Sequence, residues 1–165
     1  MTSNERVQRA TALLAAYRAK GLTIATAESC TGGLIAACLT EIAGSSDVFE
    51  RGFVTYSNEA KNHCLGVPME TITEQGAVSA QVAEAMAAGA LHHSLAQVAL
   101  SVTGIAGPGG GSTEKPVGLV YLGLCRRGQA AKSHRYFFQG DRQAIRSAAL
   151  EAGLALLEEQ VRPCP

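Results

Sequence analysis

The chain has 165 residues, 47% of them hydrophobic, and its 14 basic side chains balance its 14 acidic ones. Such a surface offers no general nucleic-acid or anionic-membrane patch, so a small molecule is the natural partner. No apolar run approaches the roughly 18 residues of a membrane span, and the length fits a single domain over residues 1–165.

In chain order, residues 3–20 form an amphipathic helix with Val7, Ala10, Leu14 and Tyr17 on one face. Thr2 and Glu5 have the spacing of a capping box, and Gly21 is a stop. Residues 23–27 are small or β-branched and suit a packed strand. A polar break comes next, from Glu28 to Gly33, and then a second helix from Leu34 to about Ile42. Phe53 to Tyr56 is β-branched and aromatic, so a strand is expected there. Ser57 caps a short helix that carries Lys61 and ends at Gly66. Residues 69–78 read as an irregular link.

Ser79 caps the next helix, with Val82, Met86 and Ala90 on its buried face. Residues 96–102 read as a buried strand that ends at Thr103. The loop from Gly104 to Pro116 contains five glycines in 13 residues, counting from Gly104 through Gly111. A loop of that length in a compact domain is usually functional, and its glycines let backbone approach a ligand. Leu119 to Leu124 suits a central strand, and Lys132 to Phe138 an antiparallel partner. Asp141 caps a last helix with Ile145, Ala149, Ala152 and Leu156 buried, ended by Arg162-Pro163. This order predicts a three-layer α/β/α sandwich with a mixed, mostly parallel sheet.

The polar breaks after the strands hold the reactive side chains. At the carboxyl edge of an open α/β sheet ligands bind, and a helix N-terminus there offers free N–H groups to an anion. Ser29 is therefore a candidate nucleophile, although Ser29 and Thr31 also suit plain helix capping. The break is neither a G-x-S-x-G elbow nor a P-loop. A serine needs a base. His92, His93 and His134 are not expected at that edge, and His63, two residues beyond Lys61, points to another side of the helix, so Lys61 is preferred, with Tyr56 as relay or substrate-orienting group. Burial and a helix N-terminus both lower a lysine pKa. The five cysteines, Cys30, Cys38, Cys64, Cys125 and Cys164, have no zinc spacing and read as reduced thiols of a cytoplasmic protein. Cys30 stands apart, since a helix N-terminus would lower its pKa.

Seven segments carry a resemblance: Ala27–Gly33, Ile42–Ser46, Arg51–Lys61, Gly76–Ser79, Ser101–Gly110, Lys115–Gly118 and Gly140–Arg142. Together, in order and over nearly the whole chain, they resemble the CinA C-terminal domain family in its stand-alone form. The resemblance implies a nicotinamide-nucleotide amidohydrolase, which converts nicotinamide mononucleotide and water to nicotinic acid mononucleotide and ammonia without cofactor or metal. It implies Ser29 as nucleophile and Tyr56 and Lys61 as its activating pair. Thr103 and Arg142 match further positions of the site.

Around that set, backbone N–H groups near Thr31, Gly32 and Gly33 are expected to hold an oxyanion. The loop with Gly104 and Gly107, and Arg142, are expected to meet the nucleotide. Glu28 is expected either to bind substrate or to hold the corner. A homo-oligomer is expected as well. The alternative is a nucleotide-binding module without chemistry, which the glycine loop and helix N-termini alone would support.

Overall fold

The computed structural model describes residues 2–162; Pro163 and Cys164 lie outside them. Helix α1 (Ser3–Ala19) opens on the expected capping box, with Thr2 and Glu5 satisfying each other's N–H groups. Strand β1 (Ile24–Glu28) is followed by helix α2 (Leu34–Thr40), a 3₁₀ turn (Ser45–Asp47) and strand β2 (Phe49–Val54). Helices α3 (Asn58–Leu65), α4 (Met69–Gln75) and α5 (Ala80–His92) lead to strand β3 (Val98–Gly104). Strands β4 (Leu119–Arg126) and β5 (Lys132–Phe137) and helix α6 (Arg142–Glu159) complete the chain.

The sheet order is β2-β1-β3-β4-β5. β1 pairs parallel with both β2 and β3, while β4 pairs antiparallel with β3 and β5. Four of the five strands therefore run in one direction. β1 leads through α2 to its neighbour on one side, and β2 leads through α3–α5 to β3 on the other. This makes the carboxyl end of β1 a topological switch point, where crevices open in α/β sheets.

Period-2 alternation divides the core into two layers. Ile24, Val98, Leu100, Val102, Val120 and Leu122 face α1, α2 and α6. Ala25, Ala27, Ala99 and Cys125 face α3, α4 and α5. The second face is lined by small residues, so α5 lies close on it. Ser101 Oγ donates to the Ala83 carbonyl at 2.5 Å. A Cβ added at Gly123 would stand 2.2 Å from that same carbonyl oxygen. The first face takes bulkier residues, and Tyr17, fully buried, donates to the Leu157 carbonyl at 2.9 Å to tie α1 to α6.

Three expectations need correction. Residues 69–78 are not an irregular link, because Met69–Gln75 forms α4, with Pro68 at its N-cap. Only Ile72 on that helix is buried, so no apolar periodicity marks it. The second strand is Phe49–Val54 rather than Phe53–Tyr56, since its ladder stops where Glu28 pairs with Val54. Glu50 and Arg51 obscure it in the sequence because β2 is an edge strand, where charge is tolerated. Finally, β3 continues through Thr103 to Gly104, paired with Tyr121 and Val120.

Candidate active site

β1 ends between β2 and β3, and the ladder carries on past it. Ser29 N–H donates to the Val102 carbonyl at 2.9 Å, and Thr55 N–H to the Glu28 carbonyl at 2.9 Å. Ser29 is thus gripped between the end of β3 and the segment after β2, and it is only 8% exposed.

Lys61 comes from α3. Ser57 caps that helix by accepting from Ala60 N–H at 3.0 Å. A side chain in the first helical turn leans back toward the N-terminus, so the Lys61 chain runs back under the preceding segment. Its Nζ donates to the carbonyls of Thr55 at 2.9 Å and Tyr56 at 3.2 Å. It lies 2.9 Å from Ser29 Oγ. Lys61 is 1% exposed, and no carboxylate forms an ion pair with it among the described residues. Burial without a counter-ion holds its pKa below the ordinary lysine value.

Ser29 and Lys61 lie on one wall of a cleft of about 260 Å³. Tyr56, Thr103, Gly104, Gly107 and Arg142 also line it. Thr103 donates its hydroxyl to the Ala77 carbonyl at 2.7 Å, which ties β3 to the start of α5. Gly104 has no room for a side chain, because a Cβ there would stand 2.6 Å from Val120 Cγ2. Arg142 opens α6 behind its N-cap Asp141. Its Nη1 donates to the Gly107 carbonyl at 2.8 Å and its Nη2 to the Tyr56 hydroxyl at 3.1 Å, so it bridges the mouth of the cleft. The glycine loop is also held on its far side, where Lys115 Nζ donates to the Gln75 carbonyl at 2.5 Å.

Four of the expected residues lie outside the cleft. Glu28 is 1% exposed, and its carboxylate accepts from Ile35 N–H at 2.9 Å and Ala36 N–H at 3.0 Å. It takes up the α2 N-terminus that the sequence leaves open to an anion. Thr31 is fully buried behind the wall. Gly32 N–H is spent on the Ser29 carbonyl at 3.0 Å, and Gly33 lies against Val54. Tyr56 is placed at the mouth, 60% exposed, with its hydroxyl on Arg142 rather than between Ser29 and Lys61. Cys30 also differs from expectation. α2 begins only at Leu34, and burial pushes the thiol up to about 11.

Two neighbours escaped the sequence reading. Asn58 lines the cleft from the first turn of α3, hidden in the sequence as an ordinary residue behind a cap. Arg146 reaches the carbonyls of Cys30 and Thr31 from α6. No histidine lines the cleft, and no group of potential metal ligands clusters among the described residues.

Geometry therefore sets the class: a three-layer α/β/α domain with a serine–lysine contact in a cleft at the carboxyl edge of its parallel strands. The chain belongs to the CinA C-terminal domain family, whose sequence pattern matches residues 6–161. It is 49% identical to the nicotinamide-nucleotide amidohydrolase PncC of Escherichia coli strain K12, over 97% of both chains. It is 52% identical to the protein of that name from Enterobacter agglomerans, covering 90% of this chain and 88% of the other. The chain spans only about a third of some longer relatives, such as a putative competence-damage inducible protein of Caldicellulosiruptor bescii, of which it covers 34% at 53% identity. Its fold matches the crystal structure of competence/damage inducible protein CihA from Agrobacterium tumefaciens, with a TM-score of 0.93 and 48% identity over 98% of this chain and 99% of that one.

Proposed function

We propose that this protein hydrolyses the carboxamide of nicotinamide mononucleotide to nicotinic acid mononucleotide and ammonia, with Ser29 as nucleophile and Lys61 as its base. The observation that carries this reading is the 2.9 Å contact between a buried, counter-ion-free Lys61 and Ser29. Relatives matching nearly end to end and named for that amidohydrolase activity support the choice of substrate.

A neutral amine has two hydrogens and one lone pair. With the hydrogens on the Thr55 and Tyr56 carbonyls, the lone pair is left to face the Ser29 hydroxyl. Lys61 takes the Ser29 proton as Oγ attacks the carboxamide carbon. The developing oxyanion needs a fixed donor. Cys30 N–H is at hand, since Cys30 lines the cleft and no backbone carbonyl takes its N–H among the described residues. Protonated Lys61 then passes the proton to the departing nitrogen, and ammonia leaves. Water, activated by the neutral amine again, cleaves the acyl-serine. Every step uses side chains and backbone, and no metal is invoked.

Tyr56 acts as an orienting group in this reading. The pyridinium ring of the substrate is cationic, and an aromatic face attracts it. Arg142 and the N–H groups of the glycine loop suit the 5′-phosphate. The reading extends to a cytoplasmic homo-oligomer of single-domain chains. Four free cysteines in the described residues support the reducing compartment.

Ammonia release from nicotinamide mononucleotide tests the reading, with nicotinamide and its riboside as controls. Turnover is expected for the nucleotide and is expected to vanish in Ser29→Ala with folding intact. A Ser29→Ala protein with normal turnover removes Ser29 as nucleophile.

A further inference from the structure

The corner that carries Ser29 has little internal support. Five residues, 29–33, separate β1 from α2. Two short-range bonds lie within it, Gly32 N–H to the Ser29 carbonyl at 3.0 Å and Leu34 N–H to the Thr31 carbonyl at 3.2 Å. Glu28 fastens the far end of the corner by holding the Ile35 and Ala36 N–H groups in the first turn of α2. The Cys30 carbonyl receives no backbone donor among the described residues.

Both it and the Thr31 carbonyl are taken by a side chain from the last helix. Arg146 Nε donates to Cys30 O at 3.1 Å and Nη2 to Thr31 O at 3.0 Å. The guanidinium is planar, so its two N–H bonds are fixed relative to each other. Gripping two successive carbonyls therefore fixes the planes of the Cys30–Thr31 and Thr31–Gly32 peptide groups. The Thr31–Gly32 group carries the N–H that holds the Ser29 carbonyl, so its rotation would release the Ser29–Cys30 peptide and with it the setting of Cys30 N–H and the Ser29 side chain. Arg146 itself does not line the cleft. Four residues earlier on α6, Arg142 does, and residues at that spacing share a helix face. One helix thus holds the mouth of the cleft and the back of the nucleophile corner.

We propose that Arg146 is a positioning residue for Ser29: its two-point grip on the Cys30 and Thr31 carbonyls keeps the Ser29 hydroxyl aligned with Lys61. This rests on the serine–lysine reading above. A lysine at the same place supplies one donor point instead of a fork, so it replaces the charge without the alignment.

The test uses the full chain and ammonia release from nicotinamide mononucleotide. Arg146→Ala is expected to lose about 10²-fold in kcat, the scale of a small misplacement of a reacting group. KM is expected to stay close to the wild-type value, because no substrate contact is removed. Guanidinium chloride at concentrations far below denaturing is expected to restore part of kcat, whereas sodium chloride at equal ionic strength is not. Arg146→Lys is expected to fall between wild type and Arg146→Ala, with circular dichroism and melting temperature near wild type.

Wild-type kcat in either variant overturns the proposal. So does a loss of activity that tracks the loss of folded protein and is not relieved by guanidinium. If Arg146→Ala does not fold, Arg146→Lys decides alone, and a kcat deficit in a folded Arg146→Lys supports the grip. An inactive Ser29→Ala beside fully active Arg146 variants removes this inference only. An active Ser29→Ala removes the serine–lysine reading and this inference with it.

Discussion

Lys61 Nζ and Ser29 Oγ lie 2.9 Å apart, joined by two elements that meet only at the carboxyl edge of the sheet. The amine is buried, and its pKa is lowered by that burial. The folded state therefore disfavours the charged form. The sign of the stability effect comes from linkage. Below the lowered folded pKa both states carry the proton, and the full burial penalty applies. Between that pKa and the unfolded value of 10.5 the unfolded chain binds more protons, so rising pH relieves the penalty. Urea titrations across this window are expected to show wild type gaining stability relative to Lys61→Met as pH rises. The rate is expected to rise with pH in the same sense, as neutral Lys61 forms. Lys61→Met is expected to lose roughly 10²–10⁴-fold in kcat, the usual worth of a general base.

Tyr56 separates relay from orientation. Its hydroxyl meets Arg142 at 3.1 Å, away from the Ser29–Lys61 contact. Tyr56→Phe keeps the ring and is expected to change kcat by less than about tenfold, far short of losing a general base. Tyr56→Ala is expected to raise KM through loss of the aromatic face. Steady-state kinetics of the pair check this, and a collapse of kcat in Tyr56→Phe would restore the relay.

Glu28 is a test of the corner. Its two oxygens each accept one backbone N–H at the start of α2. Glu28→Gln leaves one acceptor and turns an amide NH₂ toward a donor. The expected cost is about 1–3 kcal/mol, the scale of a buried group left unsatisfied. Chemical denaturation measures it.

Gly123 tests the close layer. A Cβ there would stand 2.2 Å from the Ala83 carbonyl oxygen and 2.4 Å from Ser101 Oγ. Backbone cannot yield as a flexible side chain does, so α5 must move. Gly123→Ala is expected to destabilise by about 3 kcal/mol, at the upper end for overpacking. A melting temperature equal to wild type would contradict the close packing of α5.

Local chemistry made much of this fold legible in sequence. Ser57, Ser79 and Asp141 each cap the helix their position announces, because a cap involves only the next three residues. Ser29 and Lys61 were legible as polar residues in two corners of the same sense. Glu28 was ambiguous, since an acid at a strand end suits a ligand or a helix start equally well. The position of the Tyr56 hydroxyl depends on Arg142, 86 residues further on. Arg146 acts on carbonyls, which leave no mark on the residue types that carry them. α4 hid because a single buried side chain has no period.

On the proposed serine–lysine reading, the return of α6 to the β1 corner makes catalytic competence a late event in the life of the chain. Ser29 and Lys61 are both present once α3 has been synthesised, but Arg142 and Arg146 arrive only after the whole sheet. α6 is also fastened to the chain's beginning, by Tyr17 to Leu157 and by Arg9 to Glu158. A polypeptide stopped before α6 has all five strands and both Ser29 and Lys61, without the helix that ties α1 to the corner. On that reading, turnover reports that α6 has docked over the corner.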